Sequence, residues 1–472
     1  MTTTRYRDNT PAVSIAYNRM GQKLSAGNSA SATAYGYDAN LRLVSETVTG
    51  PVNRVLQRSY DENGRPNGIT VTTGINPSIN IEHAVGYGYD NAGRLGAVTI
   101  GTDAPSAANT FSYGYLPKSV GLIETIWGPV LTGTQPVTTV TNIWEDHRDV
   151  LQTKQNVFNG NSVSQYKYVV NNLGQRTSVE HSGSAFTSGS YALGNTFNLY
   201  EYDTMGQLTS AKRYSGGTLS APQDPVNNQQ YGFNFDNIGN RLTATDGMTS
   251  GTYGVNAVNQ YTVIQSGTAS LAEPTYDADG NLTNDNGTVG KQYYWDGENR
   301  LVSVTSGSMT INYGYDAQSR RIEKKVINGD QVTSDTGFIY DGWNVVAEYD
   351  ILTGNLAATN TWGLDLSGSP QGAGGVGGLL ARNTGGVIYV YTYDGNGNIS
   401  EVLSATEQVA HYEYGPFGEP LGATGIMAAQ NPFRFSTKYT DDETGLLYYG
   451  YRYYNPSTGR WINRDPIKEA LI

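Results

Sequence analysis

The 472-residue chain contains no cysteine. That excludes disulfides, thiol nucleophiles and zinc–thiolate centres together, and it fits either redox compartment. Histidine is nearly as scarce: His83, His147, His181 and His411 are the only four, and they lack ligand spacing. Surface or strand histidines are expected, not a metal centre or a triad, and no cofactor is implied. Charged residues make up 15% of the chain and the net charge is −12, with no run of Lys or Arg. Nucleic-acid binding therefore has no electrostatic footprint. No apolar stretch reaches the roughly 18 residues that a membrane-spanning helix needs. Met1-Thr2-Thr3-Thr4-Arg5-Tyr6 lacks the apolar core of a secretion signal. Apolar spacing of three and four is almost missing, so helices are not expected.

Glycine (58) and tyrosine (36) are plentiful, whereas phenylalanine (10) is not. That balance is poor for a deep aliphatic core and suits extended sheet. The tyrosines sit in a recurring phrase: aromatic, Asp, two free residues, Gly, a polar residue, Leu or Ile. Tyr89-Asp90-Asn91-Ala92-Gly93-Arg94-Leu95 is the clearest copy. Others contain Asp203 and Gly206, Asp236 and Gly239, Asp277 and Gly280, and Asp394 and Gly397. Asp at the first position of a type I turn can bind the backbone two residues on, and Gly can take the positive φ that closes a three-residue hairpin loop. Each phrase therefore predicts a hairpin tip. Asn299 replaces Gly in one copy and tolerates the same conformation. The copies Tyr315 to Arg320 and Tyr37 to Arg42 have Ser319 and Leu41 there, and are expected to use different turns.

Aromatics also pair two apart, as in Tyr87 and Tyr89, Tyr200 and Tyr202, or Tyr313 and Tyr315. Both rings then share one strand face. Cross-strand packing is favoured over a sugar- or base-stacking surface. Internal repetition overrides the multi-domain prior from length. Residues 1–429 read as one hairpin array, degenerate at 116–165, where Trp127 and Trp144 still favour strands. A glycine-rich stretch at 368–378 could cradle phosphate, but no Lys-Ser/Thr or helix pattern follows, so a connection is expected. Residues 430–472 form a different, closing module. Tyr17 to Leu24 is already a repeat, which suggests a fragment or a short member.

The closing module runs Asp441-Asp442-Glu443-Thr444-Gly445-Leu446, then Arg452-Tyr453-Tyr454-Asn455-Pro456-Ser457-Thr458-Gly459-Arg460-Trp461, then Asp465-Pro466-Ile467. It resembles the Rhs-repeat-associated core domain, and the upstream phrase resembles the YD repeat of the wider family. The resemblance implies an all-β fold: an antiparallel β-hairpin ribbon spiralling into a hollow or partial shell. It implies a secreted or cell-surface bacterial protein whose shell encloses a C-terminal toxin or is completed by another shell chain. A surface adhesin binding glycans through its aromatic rows is the alternative. The family's self-cleavage looks like aspartyl chemistry, in which one carboxyl keeps a proton and another activates water. Carried over by motif, the candidates are Asp465 with Asp441 or Asp442, with Arg434 or Arg452 holding a carboxylate or carbonyl. Asn455 and Lys468 depart from the family's Asp and Gly, and no cargo follows Ile472.

Overall fold

The computed structural model describes residues 2–74, 80–119, 121–187, 192–268, 271–287 and 290–465. Among them the chain is almost wholly antiparallel strand: a 21-stranded sheet over residues 2–266, a 14-stranded sheet over 275–424 and a four-stranded sheet over 439–461. The helices are a single turn at Ser184–Thr187 and a 3-10 turn at Phe435–Thr437. The all-β hairpin ribbon expected from the repeat is the observed fold.

The phrase builds each tip by the same local chemistry. Asp90 Oδ1 accepts the backbone N–H groups of Ala92 (2.9 Å) and Arg94 (2.8 Å), while Gly93, at φ 81°, donates to the Asp90 carbonyl (2.9 Å). Asp203, Asp236, Asp277 and Asp394 make the same pair of backbone contacts. The polar residue after Gly is a clamp. Arg94 Nε binds Asp90 Oδ2 (2.8 Å), and Asn281 and Asn398 bind Asp277 and Asp394 likewise. Where Asn opens the turn, Gln closes it: Asn171 Nδ2 donates to Gln175 Oε1 (2.8 Å), and Asn256 to Gln260 (2.8 Å).

The two copies expected to need other turns keep this one. Leu41 (φ 65°) and Ser319 (φ 64°) adopt the left-handed conformation, held by the carboxylates of Asp38 and Asp316 and the clamps of Arg42 and Arg320. A non-glycine residue there costs about 1–2 kcal/mol. Half of Leu41 is exposed, so it gains little by burial. Leu41→Gly should therefore raise stability by about 0.5–1 kcal/mol, the backbone entropy of Gly taking back part of the gain; a urea midpoint shift checks this.

Each hairpin is tied to the one before it. The hydroxyls of Tyr60, Tyr89 and Tyr115 donate to the carbonyls of Leu43, Pro66 and Leu95, at 2.6–2.8 Å. Clamp arginines lie over the same rings: Arg42 on Tyr60, Arg65 on Tyr89, Arg94 on Tyr115. In the degenerate region Trp144 Nε1 takes the tyrosine's part, donating to Ile123 O (2.9 Å).

The second sheet follows the first in the same chain direction. Thr10 meets Gly297, Asn28 meets Tyr315, Arg58 meets Asp341, His83 meets Asn360, Asn156 meets Tyr393 and Arg213 meets Glu413. Both series ascend together. A ribbon doubled back on itself would reverse one of them, so the ribbon winds as a spiral. The main apolar cluster is shared by the two windings, joining Leu56, Val71 and Val98 to Phe338, Ile339 and Leu379. The glycine-rich connection closes around its own carboxylate: Asp365 Oδ2 accepts the N–H groups of Ala373 (2.7 Å) and Gly375 (3.0 Å), filling the cradle a phosphate would use.

Candidate functional site

The closing module begins with Phe433 bridging to Tyr439 and continues as four short strands, Tyr439–Asp441, Leu446–Tyr448, Tyr453–Asn455 and Arg460–Trp461. It docks on the second sheet through several contacts, the most deeply buried of them centred on one side chain. Arg321, in the strand Arg321–Asn328, is 1% exposed, and its Nη1 donates to Asp441 Oδ2 (2.7 Å). The guanidinium lies 4.4–5.4 Å from the rings of Tyr448, Tyr439, Tyr313 and Phe338. The peptide flanking it is held as well: Arg321 N–H donates to Tyr448 Oη (2.8 Å) and Tyr340 Oη–H donates to Arg321 O (2.6 Å).

Asp441 is fully buried. Tyr313 donates to its Oδ2 (3.0 Å), and Lys324 Nζ stands 3.3 Å from Oδ1 while also pairing with Glu443 (2.6 Å). Burial pushes the Asp441 carboxyl up, but Arg321 and then Lys324 outweigh it and hold it below the usual carboxylate range. A carboxylate so held is an ion-pair anchor, unsuited to carry the shared proton of an aspartyl dyad.

The other motif residues stand apart from Asp441. Asp442 points outward and takes a bidentate pair from Arg434, at 2.5 and 3.1 Å. Asp465 pairs with Arg452 (2.8 Å). The three acids thus face different cations. Asp465 alone of the three lines a cavity of about 790 Å³, walled by the closing module and by residues 258–285 where the first sheet ends and the second begins. Asn455 and Arg452 line the same cavity, as do Asp277, Asp279 and Asp285. Pro466, Ile467, Lys468 and the residues up to Ile472 lie outside the described residues.

A second buried charge cluster joins the windings, and sequence reading missed it. His411 Nδ1 lies 3.1 Å from Glu401 and Nε2 lies 3.5 Å from Glu413, which pairs with Arg213 of the first sheet. Glu401 Oε2 also accepts hydroxyls from Ser164 (2.8 Å), Thr392 (2.5 Å) and Ser400 (2.8 Å). His83, His181 and His411 are strand residues in buried surroundings, and only His147 is exposed.

No family model matches the chain. Among curated proteins it is similar to the tRNA3(Ser)-specific nuclease WapA of Bacillus spizizenii, 30% identical over 50% of this chain and 9% of that protein. It is 26% identical to the double-stranded DNA deaminase toxin A of Burkholderia cenocepacia, over 58% of this chain and 21% of that one. It is also 26% identical to toxin subunit YenC1 of Yersinia entomophaga, over 57% and 31%. The chain thus spans no more than about a third of these relatives' length. Among solved structures, TcdB2-TccC3 superposes over 96% of this chain and 23% of its own, with TM-score 0.59 and 16% identity. Its sequence relatives and its fold agree: the chain is similar to WapA and to toxin-complex proteins over part of their length, and its hairpin ribbon has the fold seen in TcdB2-TccC3.

Proposed function

We propose that this chain is a section of the encapsulating shell of a bacterial Rhs-type toxin-delivery protein, secreted as part of a longer polypeptide, and that residues 430–465 are the plug that seals it. The observation that carries this is the order of contacts between the windings, with the plug pinned to the second of them through Arg321 and Asp441. The relatives' names add support. They describe a tRNA nuclease, a DNA deaminase toxin and a toxin subunit. Proteins of such different chemistry sharing one repeat fit a common container better than a common active site. The test is a chain carried on through its natural downstream sequence and treated with protease. Downstream polypeptide should survive until the shell is denatured; its immediate digestion would refute the enclosure.

For self-cleavage, we propose that Asp465, positioned by Arg452, is the acid through which the plug cuts the chain behind itself. It opens on a cavity, whereas Asp441 is locked in an ion pair. In the extended chain, Asp465→Asn should abolish the cut fragment seen by mass spectrometry while leaving the urea midpoint unchanged. An extended wild-type chain that stays intact would sink this assignment. The alternative, glycan binding, is supported at one place, a cavity between the windings.

A further inference from the structure

We propose that the cavity of about 690 Å³ between the two windings, capped by the closing module, binds a short neutral oligosaccharide. The proposal rests on the glycan reading and is independent of the shell. The volume falls in the range of about 300–1,000 Å³ usual for small-molecule sites. Tyr200, Tyr202 and Tyr231 of the first winding and Tyr414 of the second line it, each only partly buried. Tyr202 and Tyr414 also make the repeat's carbonyl contacts, with Arg176 (2.8 Å) and Ile399 (2.9 Å), yet their rings and that of Tyr200 stay partly exposed on this one space, and aromatic faces are what sugar C–H surfaces stack on.

Two residues that line this cavity each keep a buried polar atom without a partner. Arg213 is 2% exposed. Its Nε donates to Thr196 Oγ1 (2.9 Å), and its Nη1 serves Gln229 Oε1 (3.2 Å) and Glu413. Its Nη2 has no hydrogen-bond partner among the described residues, and neither does the buried Oδ1 of Asn198. An unmet buried donor or acceptor costs about 1–3 kcal/mol, so such atoms point to an unseen partner. One unmet donor and one unmet acceptor on residues of the same wall suit hydroxyl groups, which both accept and donate.

The wall also selects against charge. Arg176 and Arg213 are balanced by Asp394 and Glu413. Each is already engaged: Arg176 with Asn396 and Gly395 O (3.0 Å), Asp394 with Asn398 (2.8 Å), Glu413 with Arg213 and His411. No net field is left to draw in a phosphate, a carboxylate or an amine, and a neutral polyol loses least on entry.

The test is calorimetric titration of the whole chain with chitotriose, cellotriose and maltotriose, and with sialyllactose and inorganic phosphate as charged probes. At least one neutral trisaccharide should bind saturably. Asn198→Leu should weaken it by about tenfold while leaving the urea midpoint equal or higher, since it removes an acceptor with no partner. Tyr200→Leu, which keeps an apolar wall but no ring, should weaken it comparably. If no neutral sugar binds, water fills the cavity and the proposal fails. It fails too if both variants bind like wild type, or if the charged probes bind more tightly. A chain that protects no cargo yet binds a trisaccharide refutes the shell and leaves this site standing.

Discussion

Asp441→Ala should cost about 3–5 kcal/mol and release the closing module from the second sheet. The substitution leaves the Arg321 guanidinium, 1% exposed, without its counter-charge. Breaking one side of a buried ion pair strands a desolvated charge, and that carries the penalty. The surrounding rings soften the loss without cancelling it: a desolvated cation–π contact contributes about 2 kcal/mol, and Lys324, which also faces Asp441, loses a partner as well. Hydrogen exchange should show amides of 439–461 losing protection before those of the hairpin array. The outward pair gives the contrast. Asp442→Ala removes a carboxylate whose side chain is 54% exposed and should cost no more than about 0.5 kcal/mol. Replacing Arg321 and Asp441 together by apolar residues of similar volume should recover most of the stability, because the pair's cost lies in desolvation. If Asp441→Ala proves as mild as Asp442→Ala, the module is not held by this pair.

The hairpin tip was legible because its causes are local. Asp, Gly and the polar residue after it lie within five positions, and the structure adds only that the fifth closes back on the first. Leu41 and Ser319 misled because the preference of one residue was weighed alone. In the folded turn, a carboxylate accepting two N–H groups and an arginine clamp outvote it. The acids of the closing module were legible as acids, but their partners were not. Arg321 is 120 residues from Asp441, and no local pattern links them. A signal was nevertheless present. Arg321 occupies the slot that holds Leu or Ile in Leu95, Leu208, Leu282 and Ile399. Arg176 and Arg241 break the slot in the same way. Arg176 reaches Gly395 and Asn396 in the next winding, and Arg241 lies 4.3 Å from the Phe417 ring. In these three copies a charge in the apolar slot marks where the ribbon meets itself. The cluster of Glu401, His411 and Glu413 carries no such mark. Alternating polar residues on a strand read as a solvent face until the other winding covers them.

Stability should peak near pH 6.5, because two kinds of buried histidine titrate in opposite directions. Burial pushes the His411 imidazole down, but Glu401 and Glu413 outweigh it and raise it to about 9 from 6.5. A raised histidine favours the fold fully below 6.5, and that stabilisation is lost as pH climbs toward 9. His181, buried and beside Arg213, is lowered to about 3, and His83 is lowered by burial to about 4. A lowered histidine favours the fold above 6.5 and loses that contribution as pH falls. Each proton is worth about 1.4 kcal/mol per pH unit. From pH 6.5 to 8 the His411 loss should amount to about 2 kcal/mol; above 8, Lys154 and Lys438, lowered by burial to about 8, begin to offset it. Below 6.5 the slope should reach up to twice that of one proton, less what the burial-raised carboxyls of Glu419 and Asp394 return. Glu413, held at about 2 against burial by His411 and Arg213, adds a further loss only below its ordinary 4.5. Denaturant midpoints from pH 5 to 8 at fixed ionic strength measure the profile. His411→Gln should flatten the alkaline limb, and His181→Phe should take one proton from the acid limb. A profile that rises steadily through pH 8 would show that His411 is neutral, leaving Glu401 and Glu413 without the charge that lies between them.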